Sequence, residues 1–341
     1  ALGVDGFRFD LASVLGRPGA GPFDQRAALL MMIASDPLLA TRKLIAEPWD
    51  ATGDGYRVGG FGVQWAEWND RYRDNVRDFW RGCAGINDLA RRLSGSEELY
   101  ARSGRRPWSS INFITAHDGF TLRDLVSYQD KHNDGNGENN CDGTDNNRSC
   151  NFGVEGETDD PEIRATRLNA AKAMLSTLIL SSGTPMITAG DERWRTQGGN
   201  NNAYNQDNEV SWLDWAPGRE AEAFTALTAR LIALRRTKQA PPWDRFYRPA
   251  DVTWWLPDGR QVTDRDWTDG GVRTIGMLSG SNWLLVLHGG TEPVRFVLPP
   301  LLLTPALDSA SRDGTPADPA PLPPGGTVEL APLSVLLLLG G

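Results

Sequence analysis

The sequence predicts an α/β protein, with a parallel strand–helix domain over residues 1–240 and a small all-β sandwich domain over 241–341. Three observations point there. In the first part short apolar strands alternate with segments of helical spacing, the pattern of a parallel sheet with crossover helices. From Trp243 onward the pattern is short strands and Pro/Gly turns. Four early strands end in carboxylates or histidine, the layout of one face of a barrel whose loops pool their side chains in one site.

The elements follow in order. GVDGFRFDLA, residues 3 to 12, reads as a buried strand, with Asp5, Phe7, Phe9 and Leu11 on one face and Val4, Gly6, Arg8 and Asp10 on the other. The apolar face is expected to be buried and the charged pair to face a confined interior. Phe23 to Ser35 has helical spacing, with Asp24 near its start. KLIAE (43–47) is a short strand stopped by Pro48. Gly59 to Asn69 holds a strand ending in WAEWND. Helices are expected over Tyr72–Trp80 and Ile86–Leu93, closed by Gly82 and Gly95. INFIT (111–115) is a strand, and residues 129–160 are a long polar loop. Pro161 to Ser181 is a helix, PMITA (185–189) a strand, and Ala221 to Arg235 a helix. DVTWWL, GMLSG, NWLLVLHG, VRFVLPP and TVELAPLSVLLLL are the strands of the second domain, with Pro305 to Gly326 as a Pro-rich loop.

Composition excludes several classes. The 341 residues carry a formal net charge of −9 and no basic run, so a nucleic-acid backbone is not an expected partner. The apolar run Val335–Leu339 is far too short to span a bilayer, so no membrane partner is expected. Three cysteines, Cys83, Cys141 and Cys150, are an odd, sparse set that argues against a disulfide framework and for a reducing compartment. Cys141 and Cys150 with His132 match no zinc spacing. Glu138, Asn140, Asp142 and Gly143 resemble a calcium loop, but Glu138 stands where Asp belongs and Ser149 where the closing Glu belongs. No metal and no cofactor are expected. The bland reading of this loop is a solvated rim of a substrate cleft. Thirteen tryptophans supply flat aromatic surface of the kind that stacks on sugar rings.

The four strand ends are FRFD (7–10), IAEPW (45–49), TAHD (115–118) and AGDE (189–192). Arg8 beside Asp10 lowers the carboxyl's pKa, which suits a nucleophile and equally suits a structural ion pair. Glu47, after an apolar strand and before Pro48 and Trp49, sits where a raised pKa would make it a general acid. Two carboxyls in opposed environments are what retaining glycoside hydrolysis requires, about 5 to 5.5 Å apart. Asp118 is a third carboxylate and His117 a donor to a sugar hydroxyl, the alternative being an exposed turn before Gly119. Trp49 is a candidate for sugar stacking.

GFRFDLA, IAEPWD and FITAHDG together resemble the α-amylase superfamily of glycoside hydrolases, in its conserved blocks around barrel strands four, five and seven. The flanks GVDGFRFDLASVLGR, GGFGVQWAEWNDRYRD, RSGRRPWSSINFITAHDGFTLRDLVSY and RTQGGNNNAYNQDNEVSWLDW resemble its isoamylase-related bacterial glycogen debranching enzymes. The resemblance is close over roughly two thirds of the chain and looser over the β domain. It implies strands 4–8 of a TIM (β/α)8 barrel, Asp10 as nucleophile, Glu47 as general acid/base and Asp118 as the carboxylate that grips the sugar. Arg8 would position the nucleophile and His117 bind substrate. The implied activity is cleavage of α-1,6 branch linkages in glycogen or its limit dextrins, in the cytoplasm. The alternatives are a transglycosylase with the same triad, or a non-catalytic glycan-binding fragment.

Departures from the pattern set further expectations. Strands one to three and their DxxxNH-type block are absent, and the chain starts without methionine. It is therefore expected to be a fragment, inactive and unstable alone, with an exposed strand edge. GDERWRTQ stands where GDEFGRTQ is expected, so the loop after strand eight is expected to differ.

Overall fold

The computed structural model describes residues 3–19 and 21–341. Five strands, β1 (Gly6–Phe9), β2 (Lys43–Ala46), β3 (Trp65–Asn69), β4 (Ser110–Phe113) and β5 (Thr184–Met186), form one sheet in the order β1-β2-β3-β4-β5. Every pairing is parallel, with Phe9 opposite Ala46, Ala46 opposite Glu67, Trp68 opposite Ile111 and Phe113 opposite Met186. The helices are α1 (Ala28–Ser35), α2 (Asp70–Trp80), α3 (Ile86–Leu93), α4 (Glu97–Tyr100), α5 (Leu122–Leu125), α6 (Pro161–Leu180) and α7 (Arg219–Arg235). Local chemistry sets their ends. Asn69 accepts the Tyr72 N–H at 3.0 Å to start α2, and Asp160 accepts from Glu162 at 2.9 Å to start α6, with Pro161 in the first turn. Gly82 and Gly95, at φ of 85° and 99°, take the left-handed turns that end α2 and α3.

Alternation along the strands sorts the sheet into two faces. Phe9, Leu44, Ala46 and Trp65 pack with Leu30 and Ile33 of α1. Ile45, Ala66, Trp68, Ile111, Phe113 and Met186 form an apolar floor on the opposite face. The charged candidates stand at the carboxyl-end rim of that floor.

The second part carries β6 (Val252–Trp255), α8 (Asp264–Thr268), β7 (Thr274–Ser279), β8 (Trp283–His288), β9 (Val294–Val297), β10 (Leu303–Asp308), β11 (Thr327–Leu330) and β12 (Ser334–Gly340). An antiparallel sheet runs β10-β12-β8-β7-β6, and β9 pairs with β11 separately. Leu284, Val286, Leu336 and Leu338 pack on Phe296 and Leu330 of the small sheet. Ile275, Leu285, Leu287, Val335 and Leu337 face the other way and share one core with α2, α3, α6 and α7. No helix among the described residues is long and apolar enough to cross a membrane.

Three expectations are corrected. The first strand is only Gly6–Phe9, and its apolar face is not fully buried, since Phe7 is 44% exposed. β1 has a strand neighbour on one side only among the described residues, so α1 covers Phe9 and leaves Phe7 open. The first helix starts at Ala28 rather than Phe23, because the Asp24 carboxylate accepts the Arg26 N–H at 2.8 Å and holds that segment in a turn. Pro305–Asp308 is not loop but part of β10. Pro305 is tolerated there because β10 is an edge strand with a register shift between Pro305 and Leu307.

Candidate active site

Arg8, Asp10 and Glu47 form one cluster. Arg8 Nη1 donates to Asp10 Oδ1 at 2.7 Å, and its Nη2 lies 3.1 Å from Glu47 Oε2. Glu47 Oε2 also accepts the Leu11 N–H at 2.7 Å. Leu11 adopts the left-handed conformation at φ 41°, which turns the chain so that its N–H points back at Glu47. Asp10 lies past the strand end with 68% of its side chain exposed, so it stands on an open rim rather than in a confined interior. Glu47 is buried.

These environments separate the two carboxyls. Burial raises the pKa of Glu47, and its hydrogen bond to Asp10 raises it further, against the pull of the Leu11 N–H and Arg8. Slight burial would raise Asp10 too, but hydrogen bonding to Glu47 and to Arg8 brings it below the ordinary carboxylate value. A proton shared by the pair therefore resides on Glu47 and leaves Asp10 ionised.

His117 and Asp118 follow β4 and are 61% and 64% exposed, with Nδ1 of His117 3.6 Å from Asp118 Oδ1. Among the described residues no hydrogen bond or ion pair joins Asp118 to Asp10 or Glu47. The link runs through Trp68, which no local sequence pattern marks. The Arg8 guanidinium lies 4.2 Å over the Trp68 ring, and the His117 ring meets Trp68 edge-on at 5.7 Å. Arg8, Trp68, Ala116, His117, Met186, Ile187 and Thr188 line a cavity of about 340 Å³. Trp49 is half-buried and packs on the same apolar floor, beside Ala116 and Met186.

The fourth strand end, AGDE, does not reach the rim. Asp191 is buried, accepts the Leu122 N–H at 2.9 Å and accepts from the Thr115 hydroxyl. It thus clamps both ends of the segment that carries His117 and Asp118. Burial pushes its carboxyl up to about 6. Arg193 and Trp194, where a small-residue turn was expected, form a turn with Trp194 at φ 61° stacked on Phe224. In the polar loop, Asp142 accepts from the Asn136 and Asn202 amides at 2.7 and 2.9 Å, tying residues 133–142 to residues 200–202. No group of three or more His, Cys, Asp and Glu with metal-binding geometry occurs among the described residues.

A parallel sheet with a charged carboxyl-end rim, followed by an antiparallel β region, defines an α/β protein, and solved structures share that fold. A pullulanase from Bacillus acidopullulyticus matches 98% of the chain at a TM-score of 0.69 and 19% identity, over 38% of its own length. Pullulanase type I from Bacillus subtilis, solved with maltose, matches 99% of the chain at 0.68 and 20% identity, over 44% of its length. At such identities the likeness is one of fold. No family model matches the chain. Sequence relatives are closer: the glycogen operon protein GlgX homolog of Mycobacterium tuberculosis is 46% identical over 322 residues, covering 87% of this chain and 44% of the relative. The glycogen debranching enzyme of Serratia proteamaculans is 46% identical over 320 residues, covering 92% and 48%. The chain is similar to these bacterial glycogen operon and glycogen debranching proteins and spans about half their length.

Proposed function

We propose that the chain is the catalytic portion of a retaining glycoside hydrolase that cleaves α-1,6 branch linkages in glycogen or its limit dextrins. Residues 1–240 would supply strands 4–8 of a (β/α)8 barrel, and 241–341 a β-sandwich packed on its helices. The observation that carries the reading is one arginine between two carboxyls whose pKa values are pushed apart. Asp10, ionised, attacks the anomeric carbon, while Glu47 gives its proton to the glycosidic oxygen as the C–O bond breaks. Glu47 then takes a proton from water, and the hydroxide displaces Asp10 to give product of retained configuration. Asp118 stabilises the charge that develops on the sugar, His117 and Trp49 bind the ring, and Arg8 holds Asp10 ionised. The reaction uses no cofactor and the substrate is a cytoplasmic branched α-glucan. Incubation of the full-length protein with glycogen limit dextrin tests this. Release of linear maltooligosaccharides, lost in Asp10→Asn, supports it, and new linkages without net release of reducing ends refute it.

A second reading, glycan binding without turnover by this chain, is favoured by the outer edge of β1, which has no strand partner among the described residues, and by the exposure of Asp10. Binding of limit dextrin with no new reducing ends would decide for it.

A further inference from the structure

We propose that Trp68 is a positioning residue for this reaction: its indole holds Arg8 between Asp10 and Glu47 and steadies His117 beside Asp118. The inference rests on the reading of the site given above.

Two carboxylates lie against the Arg8 guanidinium: Asp10 on its own segment, which accepts from Nη1, and Glu47 after β2, an ion-pair partner 3.1 Å from Nη2. Among the described residues Arg8 Nε and Nη2 find no hydrogen-bond partner. The Trp68 ring, its centroid 4.2 Å from the guanidinium carbon, supplies a cation–π contact in addition to the two carboxylates. His117 meets the same ring edge-on at 5.7 Å. Its other polar neighbour is Asp118 at 3.6 Å. One side chain thus touches both halves of a site that no hydrogen bond among the described residues connects.

The ring itself is fixed. Trp68 sits on β3 opposite Ile111, with Phe113 of β4 packed at 5.4 Å, and is 8% exposed. That residual exposure opens into the cavity it shares with Arg8 and His117. A residue that only filled the apolar floor would need no particular ring. A platform for a cation needs a π face.

Two substitutions separate these roles. Trp68→Phe keeps a ring under Arg8, and Trp68→Leu keeps apolar bulk without one. In the full-length protein, Trp68→Leu is expected to lower kcat about tenfold to a hundredfold with KM little changed, as misplacement near reacting groups does. With Arg8 loosened, Asp10 loses part of the stabilisation of its charged form, so the acid limb of kcat/KM should move to higher pH. Trp68→Phe should restore most of kcat and the original limb. Equal losses in both variants with unmoved limbs would overturn the proposal.

A second readout does not need turnover. The Arg8 Nε–Hε resonance, assigned by its loss in Arg8→Lys, should show a ring-current shift that persists in Trp68→Phe and disappears in Trp68→Leu. An unshifted resonance in the wild type would overturn the inference. If the wild type cleaves no branched glucan but the shift behaves as stated, the reaction assignment fails while the placement of Arg8 by Trp68 stands.

Discussion

The Arg8 guanidinium lies 3.1 Å from Glu47 Oε2 while donating to Asp10 Oδ1 at 2.7 Å, so one cation acts on both carboxyls. It lowers the pKa of each. In the proposed mechanism Asp10 acts ionised and Glu47 protonated. Removing the cation raises both values, so both limbs of the pH profile should move to higher pH. We expect Arg8→Gln to shift the whole bell of kcat/KM upward, measured from about pH 4 to 9. Limbs that stay in place would remove Arg8 from the electrostatics of the pair.

Under the proposed roles, Asp10 as nucleophile and Glu47 as general acid, the two carboxyls should fail differently. Asp10→Asn removes the attacking group and should abolish turnover on every substrate. Glu47→Gln removes a proton donor, a loss of about 10²- to 10⁴-fold. That loss should shrink on an aryl glycoside whose leaving group needs no proton. Limit-dextrin binding, followed by calorimetry, should persist in both variants. Near-normal turnover of glucan in either one would refute the assignment.

The placement of the candidate residues was largely legible in the sequence because strand ends are local. FRFD, IAEP and TAHD each carry their charge immediately after an apolar run, and the structure puts all three at one rim. AGDE has the same local form but a different fate. Asp191 turns inward to Thr115 and Leu122, partners more than sixty positions away that no local pattern reveals. Trp68 was hidden for the opposite reason. In WAEWND it reads as one more buried tryptophan, and only the register of β3 brings it beneath Arg8. Pro305 masked β10, because a proline is compatible with a strand only where an edge or a bulge removes the need for its N–H.

Helix α1 offers a stability test of the sheet's covered face. Leu30 is buried against Leu44 and Trp65, whereas Met32, two positions on, is 66% exposed. Leu30→Ala should cost about 2–5 kcal/mol through lost burial and the cavity left behind. Met32→Ala should change stability by less than about 0.5 kcal/mol. Urea unfolding of the two variants checks this, and similar losses from both would mean that α1 packs by another face.

Asp191 ties stability to pH. Burial lifts its pKa from 3.8 to about 6, against the Leu122 N–H and the Thr115 hydroxyl, which favour the charged form. The native state therefore holds this proton more tightly than the unfolded chain. Its stabilising contribution is full below about pH 3.8 and is lost as the pH rises through about 6. The difference between 3.8 and about 6 corresponds to about 3 kcal/mol. Asp191→Asn mimics the protonated side chain, since its amide oxygen can still accept from Leu122 and its NH₂ can meet the Thr115 hydroxyl. The variant should be less sensitive to pH than the wild type, so the difference in unfolding free energy should move in its favour between pH 4 and pH 7. Urea titrations of both proteins at these two pH values measure that change. Parallel pH dependence in the two proteins would mean that Asp191 stays ionised in the fold, and that the clamp on the His117–Asp118 segment is made by a charged carboxylate.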